Sequence, residues 1–268
     1  MVELLRETVS NLPTFSTYNL SSLTPDCHNR MRFAARNLLR CRADLVCLQE
    51  ISSAPGFLES FQRDYLENRY PYQVGPVGND PRGMNVAVLS RSPIRHWQSL
   101  AEHSFPLLDG SRSSRFSRDL LVLDWEFEGR SWRIFSTHLK SMRGGPNAHR
   151  QRESEAAAIL EVLAACPAEL DWLLLGDLND TPDSATLRRF FESPLEIVNS
   201  LKAGQQRTET FPCRGSRRQF DYILYPGRLA NLLVDSRAWP ESRASDHAMV
   251  TATFKSPGFE PLMSGSDH

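Results

Sequence analysis

The sequence contains few cysteines and no long apolar segment. None of its five cysteines forms a C-x-x-C pair or a cysteine/histidine spacing typical of a zinc site, so we predict reduced thiols. No stretch reaches the ~20 apolar residues that a transmembrane helix needs. Residues 1–11 carry Glu3, Arg6 and Glu7 where a secretory signal would have a basic region and an apolar run. We therefore expect no membrane span and a cytoplasmic location.

The chain also lacks an excess of charge of either sign. Its 268 residues have a formal net charge of -1, so any attraction for a polyanion must come from a local patch. Lysine is nearly absent, at three residues, and arginine supplies the other basic side chains. Arginine binds phosphate through two parallel hydrogen bonds, but a general compositional bias explains its frequency equally well. Arginine is therefore informative only at individual positions.

The distribution of apolar residues predicts a mixed α/β protein. Helical periodicity covers Arg30–Arg40 and Arg152–Ala165. The segment Glu128-Gly129-Arg130 separates two strands by a hairpin, which argues against a purely parallel sheet. We expect one domain over residues 1–255 and a disordered tail over 256–268. Eight short runs rich in β-branched or aromatic residues predict strands: Thr14–Leu20, Asp44–Leu48, Asn85–Ser90, Leu120–Phe127, Trp132–Leu139, Trp172–Leu175, Phe220–Leu224 and Ala248–Phe254.

Polar side chains occur in or at the ends of six of these strands. Such residues project from a rigid sheet and often carry catalysis in α/β proteins. Together they supply the oxygen ligands and hydrogen-bond donors of a site that binds phosphate and a hard cation. The six motifs are Thr17-Tyr18-Asn19-Leu20, Leu48-Gln49-Glu50, Ser136-Thr137-His138-Leu139, Gly176-Asp177-Leu178-Asn179, Phe220-Asp221-Tyr222-Ile223 and Ser245-Asp246-His247.

In this order, the motifs resemble those of the endonuclease/exonuclease/phosphatase superfamily, which includes deoxyribonucleases, apurinic endonucleases, inositol phosphatases and bacterial sphingomyelinases. The resemblance runs from Thr14 to Phe254. It implies a two-sheet β-sandwich flanked by helices, a four-layer α/β fold. It also implies a hydrolase that uses Mg²⁺, with Mn²⁺ as a possible substitute, on a phosphate-ester substrate. We expect a monomer.

The resemblance identifies Glu50 as the principal metal ligand, with Asn19 and Asp246 near the same ion. An ionised carboxylate beside the apolar run Asp44–Leu48 needs a partner to offset its desolvation. A cation supplies that partner, and an arginine ion pair is the structural alternative. Where apurinic endonucleases have an additional aspartate, this chain has Ser21, which argues against a fully two-metal mechanism.

The same resemblance assigns catalytic roles to two pairs of residues. His247 acts on the attacking water or stabilises the transition state, and Asp221 orients its imidazole. Asp177 and Asn179 are two residues apart, so on an extended segment both side chains would face one substrate atom. Asp177 could position or deprotonate water, while Asn179 donates to a phosphoryl oxygen. Either Asp177 or His247 could be the general base.

His138 resembles a histidine of the deoxyribonuclease, phosphatase and sphingomyelinase branches that apurinic endonucleases lack. Arg118 resembles a phosphate-contacting arginine, and Asn19 is expected near the same phosphate. Further arginines near the motifs outline an anion-binding groove, although each by itself is equally typical of a solvated loop. These are Arg112, Arg115, Arg143, Arg150, Arg214, Arg217 and Arg218.

Hydrolysis of a phosphodiester in DNA or RNA, by attack of water at phosphorus, is the reaction we predict. A phosphatase, or a phosphodiesterase acting on phospholipid or sphingomyelin, is the alternative, because fold and core chemistry do not set the substrate. A non-catalytic binding module is a third reading. It is disfavoured because all the motif residues that would bind metal or activate water are present.

Overall fold

A computed structural model describes residues 12–201, 208–212 and 218–255. The predicted disordered tail, Arg214 and Arg217 lie outside the described residues. In chain order the elements are β1 (Thr14–Leu23), α1 (His28–Cys41), β2 (Leu45–Ser52), α2 (Phe57–Tyr65), β3 (Tyr72–Val74), β4 (Met84–Ser90), β5 (Ile94–Ser99), β6 (Ser104–Pro106), β7 (Ser113–Arg115), β8 (Leu120–Phe127), β9 (Arg130–His138), α3 (Gly145–Ala164), β10 (Asp171–Asp177), α4 (Ala185–Phe191), β11 (Ile197–Asn199), β12 (Asp221–Pro226), a 3₁₀ helix (Gly227–Leu232), β13 (Leu233–Trp239) and β14 (Met249–Phe254).

The strands form two mixed sheets of six strands each. Sheet one has the order β13-β14-β1-β2-β4-β3, and sheet two has the order β11-β12-β10-β9-β8-β5. Within each sheet a single pair is parallel, β1 with β2 and β9 with β10. Parallel neighbours require a crossover connection, which α1 and α3 provide. Since the helices can pack only on the outer faces, four layers result. A two-stranded ribbon, β6-β7, lies apart from both sheets.

Alternation along the strands divides the apolar side chains between two kinds of core. In β2, Cys47 faces the interior between the sheets, whereas Leu48 faces α1 and α2. In β10, Leu173 faces the same interior and Leu174 faces α3 and α4. Aromatic rings fill the middle, with Phe15 centred 5.1 Å from Trp132. The period of two thus builds a central core and two outer ones.

The predicted fold class is confirmed, since the two sheets are flanked by helices. All eight predicted strands and both predicted helices are present, and the predicted hairpin turns at Glu128 and Gly129 with φ of 50° and 80°. The elements that sequence periodicity missed are short or at sheet edges. Strand β5 is an example, because its outer position leaves Trp97 46% exposed. No helix of the described residues is long and apolar enough to cross a membrane.

Candidate active site

The strand directions bring the six motifs to one end of the sandwich. Strands β1 and β2 end at the same edge of sheet one, and β14, antiparallel to β1, begins there. In sheet two, Asp177 pairs in register with His138 on β9 and with Asp221 on β12. The motifs surround a cleft of about 670 Å³. Of the predicted site residues, those that line it are Asn19, Glu50, Arg118, His138, Asp177, Asn179, Asp246 and His247.

Irregular backbone turns several of these side chains into the cleft. Glu50 has φ of 54° and lies at a register shift of β2, between Leu48 and Ile51. The predicted strand Asp44–Leu48 was therefore too short, because β2 continues to Ser52 beyond this bulge. A bulge re-aims a side chain without ending the strand. The Glu50 side chain is consequently 17% exposed, although its neighbours along β2 are buried.

Asp177 and Asn179 do not share an extended segment, contrary to the expectation from their spacing. Strand β10 ends at Asp177, and Asn179 has φ of 51°. The backbone N–H of Asn179 donates to Asp177 Oδ1 at 2.8 Å, an aspartate turn of the kind that competes with regular strand structure. Both side chains still line the cleft, because this turn folds the chain back across the strand end.

His247 and Asp221 form a buried pair. His247 Nδ1 lies 2.9 Å from Asp221 Oδ2, and the side chains are 9% and 0% exposed. Burial alone would lower the pKa of His247, but the Asp221 and Asp177 carboxylates outweigh it and raise that pKa to about 9. Phe211 covers the imidazole, with ring centroids 4.5 Å apart. The pair therefore favours a protonated, fixed imidazole.

A turn before β14 separates Asp246 from His247. The Ser245 hydroxyl donates to the Asn19 carbonyl at 2.7 Å and accepts from the His247 N–H at 3.0 Å. Asp246 is exposed at the cleft, whereas His247 is 7% exposed. Neighbouring residues can therefore serve different parts of the site.

Asp177 lies at the centre of the polar cluster. Its Oδ2 accepts from Asn19 Nδ2 at 2.9 Å and lies 3.4 Å from His138 Nε2 and 3.9 Å from His247 Nε2. Burial, aided by the nearby Asp221 carboxylate and opposed by His247, raises the pKa of Asp177 to about 7. A carboxyl with a pKa near neutrality is suited to proton transfer.

His138 is held as a neutral imidazole. Burial, followed by the positive charges of Arg118 and His247, lowers its pKa well below the ordinary range. Asn179 Nδ2 lies 2.9 Å from His138 Nε2 and donates to the Leu139 carbonyl at 3.1 Å. An amide nitrogen donates hydrogen bonds, so Nε2 is the acceptor and the ring proton sits on Nδ1.

Two residues that sequence reasoning missed connect Glu50 to Arg118. Arg82 Nη2 lies 2.8 Å from Asp80 and 3.4 Å from Glu50 Oε1, and Arg118 Nε donates to the same Asp80 carboxylate at 3.2 Å. The segment Asp80-Pro81-Arg82-Gly83 has the composition of an ordinary turn, so it carried no signal. The arginine partner considered for Glu50 thus exists, although Arg82 binds Asp80 more closely.

Two groups of side chains could hold a cation. Ligand atoms of Asp177, Asp221 and His247 lie within 4.8 Å of one another. Asp221 Oδ2 and His247 Nδ1 already bind each other, whereas the buried Asp221 Oδ1 has no hydrogen-bond partner among the described residues. Glu50 and Asp246 instead present carboxylates to the open cleft, with Ser22 Oγ donating to Glu50 Oε2 at 2.8 Å. Oxygen ligands facing solvent suit Mg²⁺, which keeps several waters.

Helix α3 fixes the segments that follow these motifs. Glu155, which is 0% exposed, accepts from the backbone N–H groups of Ser117 and Lys140, both at 2.7 Å. Arg152, also 0% exposed, donates to Asp180 Oδ2 at 2.8 Å and to the Lys140 carbonyl at 3.1 Å. Ser117 precedes Arg118 and Asp180 follows Asn179. One buried turn of α3 therefore holds the backbone next to both Arg118 and Asn179 in place.

The additional arginines line two adjoining cavities, and Arg143 lines both. Arg143 and Arg218 line the cleft, together with Lys140. Arg112, Arg115 and Arg150 line a neighbouring groove. The arginines that the sequence assigned to one groove thus border two adjoining cavities.

Comparison with known proteins identifies the family of this chain. The sequence matches the model of the Endonuclease/Exonuclease/phosphatase family over residues 16–268. This chain belongs to the endonuclease/exonuclease/phosphatase family. Members of this family are hydrolytic phosphoesterases, and the predicted relationship is confirmed. No curated protein matches the sequence.

Solved structures of the family share the fold at low sequence identity. D. rerio TDP2 complexed with single strand DNA product has a TM-score of 0.71 at 16% identity, covering 92% of this chain and 100% of that chain. The human Nocturnin catalytic domain with bound sulfate anion has a TM-score of 0.71 at 18% identity, covering 91% and 94%. A Bacteroides vulgatus family member reaches 0.72 at 15% identity, covering 91% and 98%.

Proposed function

We propose that the protein is a divalent-metal-dependent phosphodiester hydrolase that acts on DNA or RNA, with water as the nucleophile. The central observation is the position of Asp177. Its carboxylate, with a pKa raised to about 7, lies 3.4 Å from His138 and 3.9 Å from His247 in a cleft that arginines also line. Groups able to move a proton and groups able to bind phosphate thus face one space.

The proposed metal ligands are Glu50 and Asp246, with Asn19 close by. Their donor atoms are oxygens at an open cleft, which fits Mg²⁺ and its substitute Mn²⁺. When bound, such an ion would neutralise phosphate oxygens and polarise the phosphorus for attack. Asn19 Oδ1 accepts from the Ser21 N–H at 2.8 Å and, as an amide oxygen, retains a second lone pair.

The remaining roles follow from hydrogen bonding. Asp221 holds His247 in one tautomer and stabilises its charge, so His247 can stabilise an oxyanion or donate a proton. Asp177 is then better placed as the base, because its pKa lies nearer to neutrality. Asn179 and His138 orient the substrate. Arg118 lines the cleft, and its five N–H donors exceed the two bonds that it makes to Asp80 and Leu139.

Several observations support nucleic acid as the substrate. The cleft wall carries Arg82, Arg143 and Arg218, which suits a polyanion. One protein of similar fold, TDP2, is described in complex with a single strand DNA product. The described cysteines Cys27, Cys41, Cys47 and Cys166 are free thiols, which supports our proposal of a cytoplasmic location. We also propose that the enzyme is monomeric.

The test measures Mg²⁺-dependent release of nitrophenol from bis-p-nitrophenyl phosphate, with an EDTA control. Glu50→Gln should abolish activity by weakening metal binding, and excess Mn²⁺ should restore part of it. Glu59→Gln, an exposed position on α2, is the matched control and should change nothing. Retention of wild-type rate and metal dependence by Glu50→Gln would assign Glu50 to a structural ion pair with Arg82.

The substrate class is tested in parallel. Single-stranded DNA, duplex DNA, RNA, inositol phosphates and sphingomyelin are offered with Mg²⁺ or Mn²⁺. We expect cleavage of at least one nucleic acid. Turnover of inositol phosphates or sphingomyelin without nucleic-acid cleavage would replace the nuclease with the phosphatase or lipid phosphodiesterase.

A further inference from the structure

A second groove, which we call the side groove, adjoins the catalytic cleft. It has a volume of about 840 Å³ and lies between the β6-β7 ribbon and the first turns of α3. Lys140 and Arg143 line both the cleft and the side groove, so the two cavities adjoin along a shared wall. The other basic residues along it are Arg112, Arg115 and Arg150.

The side groove is strongly basic. None of the described residues that line it is acidic. Arg115 pairs with Glu102 and Arg150 with Asp109, but these side chains are 37–75% exposed. Exposed pairs are worth only about 0–1 kcal/mol, so a phosphate can displace them. Arg112, Lys140 and Arg143 form no ion pair with the described part of the chain.

The walls of the side groove are fixed in place. Ser114 Oγ donates to Gln151 Oε1 at 2.6 Å, and Gln151 Nε2 donates to the Arg115 carbonyl at 2.8 Å. At the other end of the ribbon, the Leu108 N–H donates to Ser154 Oγ at 3.0 Å. The ribbon is thus bound to α3 at both ends, and its arginines are presented without a large ordering cost.

We propose that the side groove binds the phosphates of a nucleic-acid strand that continues from the scissile bond in the catalytic cleft. This inference rests on the proposed nuclease function. Its basis is the wall that the two adjoining cavities share and the basic charge of that wall. A small phosphodiester needs only the cleft, whereas a longer strand must extend beyond it. The side groove provides such an exit, and its basic side chains complement the negative charge of the strand's phosphates.

The test compares Arg112→Ala/Arg150→Ala with a control pair, Arg32→Ala/Arg36→Ala. The first pair lines the side groove but not the cleft, and the control arginines lie exposed on α1. Binding of a fluorescein-labelled single-stranded octanucleotide is followed by anisotropy in EDTA, where cleavage is suppressed. Hydrolysis of the octanucleotide, a dinucleotide and bis-p-nitrophenyl phosphate is measured separately with Mg²⁺.

We expect the side-groove variant to bind the octanucleotide about tenfold more weakly. The slope of log Kd against log salt should fall by about 1.4, since each lost phosphate contact on a single strand contributes about 0.7. Hydrolysis of the dinucleotide and the small diester should stay at the wild-type rate. The control pair should leave all measurements unchanged.

Equal weakening by both pairs, or no weakening by the first, would overturn the inference. So would displacement of the octanucleotide by inositol hexakisphosphate as efficiently as by unlabelled octanucleotide at equal phosphate concentration, because the groove would then be a site for small polyanions. The two proposals fail separately. Octanucleotide binding that depends on the groove, without cleavage of any nucleic acid, would refute only the nuclease. Cleavage of the octanucleotide, with binding that the groove variant leaves unchanged, would refute only the side groove.

Discussion

Replacing Arg152 by methionine should destabilise the protein although Arg152 contacts no cleft surface. Its side chain is 0% exposed, and its guanidinium donates to Asp180 and to the Lys140 carbonyl. Methionine retains most of the apolar stem but leaves the carboxylate of Asp180, whose side chain is 6% exposed, without its cation. Removing one partner of a buried ion pair costs about 3–5 kcal/mol. Because domains are commonly stable by about 5–15 kcal/mol, most variant molecules should remain folded in the cold.

Urea denaturation followed by tryptophan fluorescence measures this loss. Arg189→Met, which breaks an ion pair with Glu153 whose side chains are 37% and 27% exposed, is the control and should cost about 0–1 kcal/mol. Adding Asp180→Asn to Arg152→Met should restore part of the stability, because the unpaired charge is then removed. Diester hydrolysis by folded Arg152→Met should fall about tenfold through displacement of the loop that follows Asn179. A stability within 1 kcal/mol of the wild type would refute the reasoning.

Three further results are expected. Burial raises the pKa of Asp119 to about 6 from its ordinary 3.8, so the free energy of unfolding falls as pH rises between these values. Asp119→Asn removes this ionisation and should add about 1–3 kcal/mol to the free energy of unfolding at pH 8 and little at pH 4. Urea titration at the two pH values measures the difference. His247→Ala should lower kcat at least ~10²-fold, and Asp221→Asn should cost almost nothing more in that background; fully multiplicative losses would show that the pair is uncoupled. Gly176→Ala should leave the protein unfolded near 37 °C, because the alanine Cβ would lie 2.0 Å from the carbonyl oxygen of Thr137 on the neighbouring strand. A Tm close to that of the wild type would contradict this.

Local periodicity predicted the framework well. The helical pattern of Arg30–Arg40 placed Met31, Ala34, Ala35 and Leu38 on one side, and these are the residues that α1 buries. Such patterns depend only on neighbours along the chain. The strand ends could be located for the same reason, and the six polar motifs at those ends do meet in one cleft.

Contacts between distant segments could not be predicted in this way. Arg152 and Glu155 lie in a charged stretch of α3, which is typical of a solvated helix face, yet both are fully buried. Their partners lie 12 to 38 residues away along the chain. The bulge at Glu50 was missed as well, because its left-handed backbone conformation has no glycine or asparagine signal.

The cleft is divided between the two sheets. Asn19 and His247 belong to the edge of sheet one, and Asp177 and Asp221 belong to sheet two, so the hydrogen bonds Asn19–Asp177 and His247–Asp221 cross from one sheet to the other. Neither sheet by itself carries all the residues that we propose for catalysis. A partly loosened molecule with both sheets intact would therefore keep its far-ultraviolet circular dichroism and lose its turnover. On gradual warming, the catalytic rate should therefore fall at a lower temperature than the far-ultraviolet circular dichroism signal of the strands.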